Sequence, residues 1–206
     1  MTTPAVQRPA RRRAPARGDR REQAILEGAR ALLETRPLSQ LTIDELAGAA
    51  GISRSSFYFY FDSKQAVLAA LLDGISEELA ADNGPWLDGT APDEPALRAA
   101  TAATVALWRT HRGLLRQAWQ GDTGDAQLLA WRTGVLERGT ARTAARIERA
   151  RAAGLAPDGP PSALVLARMV HALKNGLLAE HPADGDDAQL TQDLVTATLR
   201  LVYGRA

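Results

Sequence analysis

Residues 51–64, GISRSSFYFYFDSK, constrain this chain more than any other stretch. They hold all three of its Phe and two of its three Tyr in five consecutive positions, 57–61, directly behind the polar run Ser53-Arg54-Ser55-Ser56. Aromatic propensity and alternation alone permit a strand. The residues before the run argue for helices instead. After Leu41, Thr42 is placed to cap a short helix, with Glu45 three residues on as in a capping box and Ile43, Leu46, Ala47 and Ala50 on its apolar side. Ala49-Ala50-Gly51-Ile52 then breaks the period. Gly51 allows the positive φ of a tight interhelical turn, Ala47 is small enough for two helices to touch, and Ser53 can cap a second helix.

A short helix, a glycine turn and a second helix that begins with small polar residues make a helix-turn-helix, whose second helix enters a DNA major groove. Continued as a helix to position 61, the second helix puts Phe57 and Phe61 on the Ile52 side as anchors and leaves Arg54, Ser55 and Ser56 facing base edges. Tyr58 and Tyr60 lie off the anchoring face, where a phenol reaches a backbone phosphate. In the alternative, all five aromatics fill a core, which leaves the polar run without a task. Phe59 receives no assignment.

The charge distribution agrees with a polyanion partner for this half alone. Net charge is +1, yet residues 1–64 carry eleven Lys/Arg against seven Asp/Glu, or +4, which leaves 14 against 17, or −3, for the remaining 142. Residues 1–18 hold Arg8, Arg11, Arg12, Arg13 and Arg17 among Pro, Ala and Thr and read as a disordered basic arm, either a solvated leader or one that adds phosphate and minor-groove contacts.

Residues 41–72, LTIDELAGAAGISRSSFYFYFDSKQAVLAALL, resemble the DNA-binding signature of the TetR family of bacterial transcription regulators. The likeness lies in the threonine-capped helix, the A-x-x-A-G-I-S turn, the aromatic-rich recognition helix, and D-S-K before a long apolar helix. The F-Y-F-Y-F run and the closing L-V-Y-G-R are similar to the branch holding the ethionamide-resistance repressor. The resemblance implies that Thr42, Tyr58, Tyr60 and Lys64 touch phosphates and that Ser53, Arg54, Ser55 and Ser56 lie in or near the groove. It also implies a dimer formed through the last two helices.

The rest of the chain reads as helical throughout. A first helix begins at Asp19, with Ala24, Ile25, Gly28, Ala29, Leu32 and Leu33 on one face, and Pro37 stops it. Asp62 opens a long helix through Ala66, Val67, Ala70, Leu71 and Ile75, with Asn83-Gly84-Pro85 as its expected end and a loop up to Pro95. Further helices are expected over 96–111, 112–120, 125–153, 162–180 and 187–203, with a turn at 122–125. The expected fold is therefore all-α: the arm over 1–18, a three-helix helix-turn-helix domain over 19–64, and a helical ligand-binding and dimerisation domain over 65–206.

Within the body, residues 131–144 repeatedly place Gly, Thr or Ala where bulk is expected, at about 1 kcal/mol for each mid-helix Gly relative to Ala. Such a face either lets helices approach closely or leaves room for a ligand. The ligand reading expects an apolar pocket lined by Trp108, Trp119, Trp131, Val135, Met169 and Leu173; core packing of the same tryptophans is the alternative. His171 and Lys174 read as an interfacial His and a snorkelling Lys, in preference to a ligand clamp. The last two helices are apolar on more than one side, so a second copy of the chain is expected to cover them as an isologous four-helix interface.

Several classes of chemistry lack their residues. There is no Cys, and the three His are isolated, which removes disulfides, thiolate zinc sites and metal spacing; no cofactor is expected. No G-x-S-x-G, H-E-x-x-H, P-loop or dinucleotide fingerprint speaks for an enzyme. No apolar run is long enough to cross a bilayer, and a cytoplasmic location is expected. The functional expectation is a homodimeric repressor that binds a palindromic operator in double-stranded DNA and responds to a small apolar effector. A nonspecific architectural DNA binder and a helical carrier or enzyme are the alternatives.

Overall fold

The computed structural model describes the backbone of residues 17–89, 93–120 and 126–204, and every regular element among them is helical. Residues 1–16 of the expected arm and the turn expected at 122–125 lie outside the described residues. Helix α1, Arg17–Leu33, buries Ile25, Ala29 and Leu33. A single 3-10 turn, Leu38–Gln40, leads to α2, Ile43–Ala49.

Both arms of the expected capping box form: the Glu45 amide donates to Thr42 Oγ1 at 3.2 Å, and the Thr42 amide donates to Glu45 Oε2 at 2.8 Å. The Thr42 amide, together with Arg36, holds the Glu45 carboxyl at about 2, well below the usual carboxylate range. At the other end Gly51 takes φ +65°, and the amides of Ile52 and Gly51 donate to the carbonyls of Ala47 and Gly48, a Schellman closure that explains the glycine. Ala47 is buried, and a close interhelical approach falls at Gly28 of α1. A Cβ there would stand 3.0 Å from the Ala49 backbone.

The recognition helix α3, Arg54–Phe57, is one turn long, capped by Ser53. Regular helix does not extend to position 61 as expected. After Phe57 the bonds tighten to three-residue spacing, Phe59 to Ser56 and Tyr60 to Phe57, before Phe61 returns to Phe57 at four. Five successive aromatics are poor helix formers, and burying both Phe57 and Phe61 sets the turn. Their ring centroids stand 6.1 Å apart, so the expected anchoring face survives the change of helix type.

Helix α4, Lys64–Asp88, is opened by Ser63 as cap and not by Asp62, and Pro85 lies inside it rather than ending it. An internal Pro costs about 3 kcal/mol. Offsetting this, Trp86 and Leu87 are buried, and Arg146 and Arg149 of a helix sixty residues on donate to the carbonyls of Trp86 and Leu87. Cations placed at a helix C-terminus also suit its dipole. Asn83 adds bonds to the carbonyl of Leu79 and the hydroxyl of Thr104.

The body continues with α5, Glu94–Thr110, α6, Arg112–Gln120, α7, Ala126–Ala152, α8, Ala163–Glu180, and α9, Asp187–Tyr203. Pro95 is part of α5, in the first turn that Asp93 caps, where a missing N–H costs nothing. One apolar cluster joins the two ends of the molecule. Val67, Leu68, Leu71 and Leu72 of α4 belong to the same core as Ile25, Leu46 and Phe57 at the N-terminal end and Trp108, Leu114 and Leu178 in the body. A displacement of α4 therefore reaches both.

Candidate nucleic-acid interface and ligand cavity

The polar start of α3 is exposed at Ser53, Arg54 and Ser55, with Ser56 half-buried. Its hydroxyls are partly committed. Ser53 Oγ accepts from the Ser56 amide at 3.2 Å and shares bonds with the Ser55 and Ser56 hydroxyls at 3.0 and 2.9 Å. Arg54 extends over the Tyr58 ring, 5.9 Å from its centroid, donates to the Tyr58 hydroxyl at 3.4 Å, and bridges to Asp44 of α2 at 2.7 Å. The Asp44 bond raises the Arg54 pKa further. Tyr58 is 44% exposed, Tyr60 is half-buried against the core, and Phe59, unassigned by the sequence, is 87% exposed. Thr42 is exposed beside them, its hydroxyl engaged by Glu45.

Lys64 points elsewhere. Its ammonium donates to the carbonyls of Leu38 and Leu41 at 2.8 Å each and of Ser39 at 3.3 Å. An ammonium has three protons, and each has an acceptor here. The side chain thus ties the start of α4 to the turn that leads into α2. Lys64→Met is expected to lower the stability of the protein by about 1.5–3 kcal/mol, the range for hydrogen bonds to a charged group, read as an earlier thermal transition in the absence of DNA. An unchanged melt would show the tie to be idle.

A cavity of about 230 Å³ lies between α4, α5, α6, α7 and α8. Trp86, Trp108, Trp119 and Trp131 all line it. Successive rings of the last three meet edge-to-face, with centroids 5.7 and 5.8 Å apart, and the Trp131 N–H donates to Asp73 of α4 at 2.8 Å. Leu79 and Asn83 of α4 and Val135 and Gly139 of α7 complete much of the wall. Gly139 also serves close packing: a Cβ there would meet the His171 ring at 3.0 Å. His171 shares a 3.0 Å bond with the Thr143 hydroxyl, and burial together with the Lys174 charge lowers its pKa to about 4. It is neutral at neutral pH.

Residues 25–71 match the family described as bacterial regulatory proteins, tetR family. Over 98% of its length the chain is 34% identical to the HTH-type transcriptional regulator EthR of Mycolicibacterium smegmatis, and it covers 94% of that protein. The chain belongs to the TetR family. It is a helix-turn-helix transcriptional regulator of the EthR branch. Among solved structures, its fold is similar to that of Salmonella enterica GusR, with a TM-score of 0.77 and 19% identity over 91% of this chain and 97% of that one. It is also similar to AibR in complex with isovaleryl coenzyme A and operator DNA, with a TM-score of 0.67 and 17% identity over 90% and 100%.

In this TetR-family chain the cavity departs from the expected lining at two positions. Met169 is 45% exposed on the outer side of α8, and Leu173 is half-buried against the main core; neither lines the cavity. Met169 is instead one of four exposed large apolar side chains of α8, with Leu164, Val165 and Leu177, and Leu201 is exposed on α9. Lys174 does not snorkel. It is 9% exposed, in the cavity wall, with its ammonium 5.9 Å from the Trp86 ring centroid. Trp86 and Asn83 also line the cavity: the apparent stop at Pro85 hid the continuation of α4 that carries them there, and the advance signal was their place one turn apart beyond Leu79.

Proposed function

We propose that this regulator is a homodimeric, ligand-responsive repressor whose two recognition helices read a palindromic operator. Arg54, Ser55 and Ser56 face the base edges, Ser53 frames the turn that presents them, and Thr42, Tyr58 and Tyr60 hold the phosphate backbone on either side. Lys64 supports this surface from behind by fixing the turn at 38–41 and reaches a phosphate only by giving up a carbonyl. Residues 1–18 act as a basic arm, 19–64 as the reading head, and 65–206 as the sensor and dimerisation part. The second copy covers α8 and α9, because these two helices leave five large apolar side chains exposed, four on α8 and one on α9, that a four-helix interface would bury.

The observation that carries the reading is the reach of α4. Its N-terminal half shares a core with the recognition helix, and its C-terminal half lines the cavity, so occupancy of the cavity and the spacing of two reading heads depend on one element. AibR, whose fold is similar, is described with both a small-molecule thioester and operator DNA. The test is fluorescence-anisotropy titration of the inverted repeat upstream of the protein's own gene, across a salt series. Two chains per repeat and a steep loss of affinity with salt are expected. Arg54→Ala should lower the preference for that repeat over scrambled DNA by roughly tenfold, whereas Tyr60→Phe should weaken both alike. Equal affinity of the wild-type protein for repeat and scrambled DNA would leave an architectural binder.

A further inference from the structure

We propose that the effector is a small apolar monocarboxylate in its ionised form, with its carboxylate held by the ammonium of Lys174 and its tail lying against the tryptophan wall. The inference rests on the effector reading above and deepens it. Four observations point to an anion. First, Lys174 makes no hydrogen bond or ion pair among the described residues although it is more than nine-tenths buried. A buried ammonium without a counter-ion is among the more costly arrangements a core can hold, and an incoming anion relieves it. Second, no Asp or Glu lines the cavity among the described residues, while Arg138 and Arg142 do, the latter bridged to Asp88 at 3.5 Å. Third, the Trp86 indole N–H, in the same wall and within cation-π range of Lys174, is buried and has no acceptor. It is a second donor for the second carboxylate oxygen. Fourth, the Asn175 amide, one residue beyond Lys174, also borders the space.

The remainder of the cavity suits the tail. Trp108, Trp119, Trp131, Leu79 and Leu115 are apolar walls, and the volume of about 230 Å³ lies below the 300–1,000 Å³ of typical small-molecule sites. That size fits a short-chain or monocyclic acid and leaves no space for a nucleotide-bearing thioester. Burial lowers the pKa of Lys174 to about 8, which still leaves the ammonium mostly protonated at neutral pH. His171, neutral there, adds no competing charge. The neutral ester of the same acid meets an unpaired ammonium and is rejected, since a site built for a charge loses more by leaving it unpaired than it gains from apolar contact.

Octanoate and 4-phenylbutyrate, each with its methyl ester, and octylamine are titrated against the full-length protein by tryptophan fluorescence, with thermal melts in parallel. All four tryptophans line the cavity, so its occupation has an optical signal. At least one acid is expected to bind ten or more times more tightly than its ester, and octylamine should not bind. In Lys174→Met the order should invert, with the ester equal to or better than the acid. Trp86→Phe, which keeps the ring and removes the donor, should weaken the acid several-fold. Equal affinity for acid and ester, acid binding unchanged in Lys174→Met, or no binding of either acid overturns the proposal. Failure of the regulator reading looks different: acids bind in this order, yet the operator complex is indifferent to them.

Discussion

Lys174→Met, with no ligand present, is expected to stabilise the protein by up to about 3 kcal/mol at neutral pH and to raise its melting temperature by roughly 5–10 °C. The size of the effect comes from burial. The ammonium has a pKa of about 8 in the folded chain against 10.5 for the free side chain, and each unit of difference is worth about 1.4 kcal/mol. Here the folded pKa lies below the unfolded one, so the unfolded chain holds the extra proton between these values. Stability is therefore lowest below pH 8 and rises as pH climbs toward 10.5. Methionine fills much of the same volume without a charge, so the variant should begin at the higher level and lack this part of the pH slope. Denaturant melts of both proteins at neutral pH and near the top of the window read the difference. A variant less stable than wild type at neutral pH would mean that the ammonium has a partner in solution.

Such a gain from one substitution shows what the site costs the unliganded molecule. Sites for function commonly carry a local penalty that the surrounding fold absorbs. In this chain the penalty is an uncompensated cation next to an orphaned indole donor, the cation on the inner side of a helix whose other buried residues are Ala163, Leu166, Ala167, Val170, Leu178 and Ala179. Arg146, fully buried nearby, is treated differently. It stacks on Trp86 with its guanidinium 4.4 Å from the ring centroid and donates to the Trp86 carbonyl. One cation completes the end of α4, and the other is left for a ligand.

The parts of the fold that local chemistry dictates were legible in the sequence. Thr42 with Glu45, Gly51, Ser53 and the Phe57–Phe61 pair each act within a few residues of themselves, and the spacing alone specified the capping box, the glycine turn and the anchoring face. The features that the sequence hid depend on distant partners. Pro85 reads as a helix end until Arg146 and Arg149 arrive from α7 to hold the carbonyls beyond it. Lys64 is given to a phosphate by the resemblance, and its carbonyl acceptors exist only once the 38–41 turn is folded beside α4. Lys174 sits on a helix apolar on several sides, and periodicity cannot say which side meets the cavity and which meets solvent. The same ambiguity placed Met169 in the pocket and assigned Lys174 to the surface.

Gln117→Leu is expected to leave ligand binding intact while removing most of the response of DNA binding to ligand. Wild-type coupling between two such sites is typically about 1–3 kcal/mol, roughly a 5–150-fold change in operator affinity, and the variant should fall to a few-fold or less. The decisive residue is Leu38, whose two backbone groups are claimed by different helices. Its N–H donates to Gln117 Oε1 of α6 at 2.8 Å, and its carbonyl accepts from Lys64 of α4 at 2.8 Å. Gln117 also donates to the Leu33 carbonyl at the end of α1 at 3.0 Å. Gly113 lets α6 come this close, since a Cβ there would stand 3.0–3.1 Å from Glu34 and the Leu33 carbonyl. Leu115 and Trp119 lie two residues on either side of Gln117 and line the cavity. A ligand that moves α4 relative to α6 must therefore move the two clamps on Leu38 apart, four residues before the cap of α2. Leucine at position 117 keeps the packing and deletes one clamp, so α6 can shift without pulling the turn. Operator affinity measured with and without octanoate, in wild type and variant, reads the coupling, and fluorescence titration confirms that the ligand still binds. A variant that retains the full wild-type ratio would assign the transmission to α4 alone.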